Sequence, residues 1–487
     1  MTELMKESAP TLAARVRAKE VSAVEVAKAC LAAIERDDAR LGAYLTVDGD
    51  AMLRAADEVD RAISSGRDPG PLAGVPVGVK DVLTTIDLPT TCGSKILVRD
   101  GKKWHPPYDA HVVSALRLAG ALIPGKTNMD EFAMGSSNEN SAFFPAKNPV
   151  DPTRTPGGSS GGSAVTVAAG MTPLSLGTDT GGSVRQPAAL TGVVGVKPTY
   201  GRVSRYGLVA FASSLDCVSP FARDVRSAAL VTEVIAGHDP RDATSSERPV
   251  GRYLAACDGS AKGLRVGVPR QYFARGIDPD VEASVRDALG ALEREGARLV
   301  PVELPHTEHA VAVYYVLATA ECSSNLSRFD GVRFGARSAG KDLDELYSAT
   351  RGRGFGPEVR RRIILGTYVL SHGYYDAYYV KAQKVRTLIS EDFDRAFAEV
   401  DVVCAPTAPT PAFGLGEKID DPITMYLSDV YTLPPSLAGL PAMSVPVRPT
   451  PARADRPALP VGLQIVAPLF EEERMFRAAS AVERIVG

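Results

Sequence analysis

Apolar positions along this chain follow two rhythms, one helical and one extended. Near the N-terminus the rhythm is helical: Ser22 and Glu25 have capping-box spacing, and Val26, Cys30 and Ile34 follow on one face. Leu53, Ala56, Val59 and Ile63 form a second stripe, which Ser64-Ser65-Gly66 and then Pro69-Gly70-Pro71 bring to a stop. Residues 1–66 thus read as a helical layer. From 72 to 83 the period shortens to two. LAGVPVGVKDVL alternates through Val75, Val77 and Val79 and delivers Lys80 and Asp81, a strand ending on a charged pair. A helix over 109–119, a short strand ALIP over 121–124 and a polar loop over 125–144 come next, at the spacing of a βαβ unit.

SAVTVAAG (163–170) reads as a buried helix, and TPLSLGTD (172–179) and GVVGVKP (192–198) as strands. A further βαβ unit runs from LRVGVP through an amphipathic helix over about 280–295 to ARLVPVEL. Residues from about 305 to 400 turn helical, carrying YYDAYY and the basic run Arg360-Arg361-Arg362. Strands return at DVVCAPT, AMSVPV and GLQIVAP, among proline-rich loops over 404–424 and 446–460, and a helix from Glu471 closes the chain. Strands at both ends predict an α/β fold with one large, partly parallel sheet covered by helices on both faces. Residues 71–220 are its expected catalytic core and 305–400 a helical insertion, within one domain over 1–487.

Composition narrows the classes. The 487 residues are 45% apolar and 23% charged, with a net charge of −3 that disfavours a chain gripping nucleic acid by itself. The six cysteines are scattered without a CxxC pair, as expected of reduced buried thiols and not of a disulfide frame or zinc site. The opening MTELMKESAP has no apolar signal-peptide core, and no run reaches the roughly 18–20 apolar residues of a membrane span. A soluble cytoplasmic protein is expected.

The candidate chemistry lies between Gly157 and Arg185, where two glycine-serine knots flank an apolar segment whose only ionisable side chain before Gly182 is Asp179. Glycines let backbone N–H groups converge, so the segment fits either anion binding or acyl transfer. Neither knot has the lysine of a P-loop, which disfavours a phosphate cradle. GGSSG matches G-x-S-x-G, but NPVDPTRTP before it cannot be a central strand. His238, His306, His309 and His372, the downstream histidines, lie in no evident polar context. A triad without histidine remains. Burial lowers an ammonium pKa, so Lys80 at the end of an apolar strand qualifies as a base. Protons could then pass from Ser183 through Ser159 to Lys80, with the N–H groups of Thr180, Gly181, Gly182 and Ser183 as an oxyanion hole.

Lys80 after GVPVGV, the block TPGGSSGGSA, and GTDTGGSVRQPA with Ser183 lying 24 residues after Ser159 resemble the amidase signature family. The resemblance implies the amidase signature fold and a catalytic Ser–cis-Ser–Lys triad: Ser183 as nucleophile, Ser159 as the bridge on a cis peptide bond, Lys80 as base. MDEFAMGSSNENSAFFPAKNP, SSNLSRFDGVRFG, RRRIILGTYVLSHGYYDAYY and MYLSDVYTLPPSLAGLPAMSVP resemble the glutamine-hydrolysing branch that serves tRNA-dependent amidotransferases. That branch implies a glutamine pocket with Arg362 for the α-carboxylate, Asp429 for the α-ammonium and Tyr314 in the lining. It also implies a heterotrimer with amidotransferase subunits B and C, in which ammonia travels to a misacylated tRNA held mainly by the partner. ATP and magnesium would be used there, with no cofactor or metal in this chain. The alternatives are a free-standing amidase acting on a small amide and a non-catalytic scaffold protein.

Overall fold

The computed structural model describes residues 3–273, 276–454 and 456–486. Eleven strands form one mixed sheet: β1 (Tyr44–Val47), β2 (Val77–Lys80), β3 (Gly125–Thr127), β4 (Leu174–Asp179), β5 (Val194–Lys197), β6 (Cys217–Ala222), β7 (Arg265–Pro269), β8 (Arg298–Val302), β9 (Val402–Pro406), β10 (Ala442–Val447) and β11 (Val461–Val466). Their order is β1-β3-β2-β4-β6-β5-β10-β11-β9-β7-β8. β3, β2 and β4 run parallel to one another, as do β9, β7 and β8, and the pairings between these blocks are antiparallel. Every residue of β2, β4, β5, β6, β9 and β11 is buried, so both faces of these strands are covered.

The helical rhythm holds where it was strongest. Ser22 and Glu25 close a reciprocal capping box on the helix Ala23–Leu41, which Gly42 ends in a left-handed conformation. Four departures are instructive. The N-terminal layer is not wholly helical, because Tyr44–Val47 pairs antiparallel with β3 as an edge strand. The strand expected at ALIP lies a few residues later: Leu122 makes only an isolated bridge to Pro76, and pairing proper is made by Gly125-Lys126-Thr127. β6 was not expected at all, since Pro220 sits inside it. The proline is tolerated because β5 pairs only with Phe221 and Ala222, leaving Pro220 beyond the doubly paired stretch. Within the proline-rich loop, Pro422–Tyr426 forms a short helix capped by the Asp421 side chain.

For the site, three placements matter. β2 ends at Lys80, and β4 next to it ends at Asp179, so both deliver their last residues at the same edge of the sheet. The helix Gly161–Ala168 follows the first knot and the helix Arg185–Thr191 follows the second. The helices Ala310–Leu326, Pro357–Val369 and Lys381–Glu399 occupy the region over 305–400.

Candidate active site

Lys80 is fully buried, with 0% of its surface exposed. Its Nζ lies 2.9 Å from Ser159 Oγ, 2.7 Å from Ser160 Oγ and 2.9 Å from Thr178 Oγ1. Two other lysines, Lys126 and Lys197, are equally buried, and their partners decide their chemistry. Lys126 donates to the carbonyls of Leu83 and Pro89 beside Asp81, and Lys197 to those of Pro198 and Leu440. Lys126 also meets the Thr90 hydroxyl at 2.8 Å, but carbonyls, which only accept, supply most of both cages and favour the ammonium there. Hydroxyls also donate, so the cage around Lys80 accommodates a neutral amine. Burial pulls the Lys80 ammonium down to about 7, against the opposing pull of the Asp130, Asp179 and Asp216 carboxylates.

Within the cage the hydroxyl protons are assigned. Ser160 Oγ donates to the Thr178 carbonyl and accepts the Thr178 N–H, so its proton belongs to the core. Ser159 Oγ makes its one hydrogen bond among the described residues to Lys80. The Gly158–Ser159 peptide bond is cis, as the resemblance implied. Its surroundings are close: the Ser159 carbonyl accepts the Asp130 N–H at 3.1 Å, and the Gly158 N–H donates to Gln186 Oε1 at 3.1 Å.

Ser183 is the most open member of the set, at 8% exposure. Its carbonyl accepts the Ser160 N–H at 3.2 Å, which ties the two knots together, while its hydroxyl has no protein partner among the described residues. The structure therefore brings Lys80 and Ser159 into direct contact and sets Ser183 alongside without closing a Ser159–Ser183 hydroxyl bond. Among the described residues the N–H groups of Thr180, Gly181, Gly182 and Ser183 donate to no protein acceptor. The turn that presents them is clamped from outside. Asp179 Oδ2 accepts the Val184 and Arg185 N–H groups, and the buried Arg185 guanidinium grips Asp179, Gln464 Oε1 and Ser436 Oγ. Thr180 Oγ1 donates to Asp216 at 2.7 Å, and Thr432 Oγ1 donates to the Gly181 carbonyl at 2.6 Å. Four free donors on a braced turn form an anion cradle.

Two of the remaining sequence candidates, Tyr314 and Asp429, meet at this turn. A Cβ on Gly181 would lie 2.8 Å from the Tyr314 ring, so that ring packs directly on the cradle. Thr432, which holds Gly181 through its hydroxyl, donates its backbone N–H to the Asp429 carbonyl at 3.0 Å. Asp429 Oδ2 accepts from Ser136 Oγ, whose own carbonyl is held by Gln186 Nε2 at 2.9 Å, and Gln186 in turn holds Gly158. Asp429 Oδ1 is buried with no partner, and burial pushes the carboxyl up to about 7. Arg362, 3% exposed, donates its Nε–H to Glu358 at 2.7 Å, and its terminal nitrogens have no acceptor among the described residues. Arg360 and Arg361 beside it are exposed, which separates Arg362 from the basic run. Arg362 lines a cavity of about 370 Å³ together with Glu358, Arg361, Tyr426, Glu139 and Lys418. Ser159, Ser183, Tyr314 and Asp429 are not among the residues that line it. A buried carboxyl with one free oxygen and a guanidinium with free terminal donors are complementary to the two charges of a zwitterionic ligand.

Sequence reasoning did not assign roles to Ser160, Thr178, Ser136, Gln186 or Glu358. Thr178 carried a usable signal, since it stands two residues before the cradle on the strand beside Lys80. Among the described residues no group of three His, Cys, Asp or Glu side chains is arranged to hold a metal ion, and no helix is long and apolar enough to cross a membrane.

A base caged by hydroxyls and a serine beside free backbone donors define an amide-cleaving class, and the chain belongs to the amidase family, whose sequence model matches residues 25–476. It is similar to the A subunit of glutamyl-tRNA(Gln) amidotransferase from Carboxydothermus hydrogenoformans, 55% identical over 99% of this chain and 98% of that one. The corresponding protein of Chloroflexus aurantiacus is 53% identical over 100% and 98%. The crystal structure of the glutamyl-tRNA(Gln) amidotransferase A subunit from Thermotoga maritima superposes with a TM-score of 0.78 at 43% identity, covering 95% of this chain and 91% of that one. The peptide amidase of Stenotrophomonas maltophilia superposes at 0.82 with 29% identity, over 100% and 98%.

Proposed function

We propose that this chain is the glutamine-hydrolysing component of a tRNA-dependent amidotransferase. The observation that carries the chemistry is the Lys80 amine, buried and bonded only to hydroxyls. Neutral Lys80 takes the Ser159 proton, Ser159 takes that of Ser183, and Ser183 Oγ attacks the side-chain amide carbon of glutamine. The carbonyl oxygen becomes an oxyanion facing the N–H groups of Thr180, Gly181 and Gly182. The proton returns through Ser159 to the amide nitrogen, ammonia leaves, and water releases glutamate from Ser183 by the reverse relay. The α-carboxylate lies on the free edge of Arg362 and the α-ammonium on Asp429 Oδ1, with Tyr314 walling the pocket.

The relatives are each one component of a multi-subunit amidotransferase, which supports an assembly of the same kind here. In this reading subunits B and C complete a heterotrimer, and ammonia passes to Glu-tRNA(Gln), or also to Asp-tRNA(Asn), activated with ATP and magnesium on the partner. The test is reconstitution of the chain with B and C, assayed with each tRNA and with glutamine or free ammonia. Ser183→Ala is expected to abolish glutamine-dependent but not ammonia-dependent amidation. Retained glutamine-dependent activity in that variant refutes the nucleophile. Faster hydrolysis of simple amides than of glutamine by the chain alone favours a free-standing amidase.

A further inference from the structure

We propose that Glu358 is a specificity-determining positioning residue, which with Tyr426 fixes the orientation of the Arg362 guanidinium so that its outer edge meets a substrate carboxylate. The inference rests on the glutamine reading above. Glu358 and Arg362 lie one turn apart on Pro357–Val369, and Glu358 Oε1 accepts both the Arg362 Nε–H at 2.7 Å and the Tyr426 hydroxyl at 2.9 Å. Its other oxygen is engaged by Arg361. The guanidinium is otherwise bordered by Phe211, Tyr315 and Tyr426 rings, with Cζ 5.2–5.5 Å from their centroids, and Tyr315 and Tyr426 are stacked at 3.8 Å. Aromatic faces attract a cation without choosing how its plane is rolled. The carboxylate makes that choice: by occupying Nε it leaves the terminal nitrogens, side by side, for a bidentate contact.

The helix itself is held to the catalytic loop. The Gly356 N–H at its start donates to Glu131 Oε2 at 2.7 Å, and the adjacent Asp130 N–H holds the Ser159 carbonyl. A short path of hydrogen bonds and backbone therefore links the serine bridge to the carboxylate-reading edge.

The experiment compares glutamine with 4-aminobutanamide, which keeps the amide and the amine but lacks the α-carboxylate, using the full-length chain with its partner subunits. In Glu358→Ala the ratio of kcat/KM for glutamine to that for 4-aminobutanamide is expected to fall roughly tenfold or more, carried by KM for glutamine. Glu358→Gln, whose amide oxygen still accepts both hydrogen bonds, restores most of the ratio, and Tyr426→Phe gives a smaller loss in the same direction. An unchanged ratio in Glu358→Ala, or an equal fall for both substrates, overturns the inference. Absence of discrimination in the wild-type protein overturns the glutamine reading and this inference together, whereas discrimination retained by Glu358→Ala overturns this inference alone.

Discussion

If Lys80 is the base, the rate of acylation must follow the population of its neutral form. Burial brings its ammonium from 10.5 down to about 7. A base titrating near 7 is about one-tenth neutral at pH 6 and about nine-tenths neutral at pH 8, so the acylation rate should rise about tenfold and then level off. A lysine with its ordinary pKa would instead give about a hundredfold rise over the same interval and no plateau. The assay is the burst phase of ammonia release at saturating glutamine, with ionic strength held constant. Lys80→Arg should be nearly inactive throughout, because a guanidinium keeps its proton. Asp130→Asn removes the first of the carboxylates that favour the ammonium, so its rising limb should move to lower pH. The same shift has a stability signature. The unfolded lysine holds its proton to 10.5 and the folded one releases it near 7, so between those values the unfolded state binds more protons and stability rises with pH. Lys80→Met removes this dependence, and its stability relative to wild type in urea titrations should grow by roughly 1 kcal/mol as pH falls from about 8 to 6. A flat rate profile, or a continuous rise without a plateau, would refute the assignment.

Asp429 must be ionised to hold an ammonium. As its carboxyl is pushed up to about 7, KM for glutamine should fall as pH rises through that value. Asp429→Asn should raise KM and abolish that dependence, which initial-rate kinetics at several pH values would show. Gly182 has φ +141°, and a Cβ there would lie 2.1 Å from Thr432 Oγ1. Gly182→Ala should cost on the order of 1–3 kcal/mol in stability and lower kcat about a hundredfold by displacing the cradle, measured by denaturant unfolding and steady-state rates.

Lys80 was legible as the candidate base because two local rules agree there: an alternating apolar strand, and a charge at its buried end. Both knots were legible because a glycine-serine cluster within a charge-poor stretch has few explanations. Ser159 and Ser160 are neighbours touching the same amine, and the basis for preferring Ser159, the Thr178 carbonyl and N–H that occupy Ser160, lies on a neighbouring strand that local pattern does not read. Glu358 was hidden for another reason. An acidic and a basic residue four apart on a helix ordinarily form a solvent-exposed pair, and burial of this one depends on Tyr315 and Tyr426 from distant segments. Pro220 concealed β6 because it violates the local rule for a central strand, a violation permitted only by where the neighbouring strand stops.

The grip of Arg185 on Gln464 and Ser436 has a consequence for the order in which the molecule becomes competent. Lys80, Ser159 and Ser183 leave the ribosome early, yet the turn that carries the nucleophile is braced by residues more than two hundred positions later. The brace on that turn is therefore complete only after Ser436 and Gln464 have been added, long after the residues it supports.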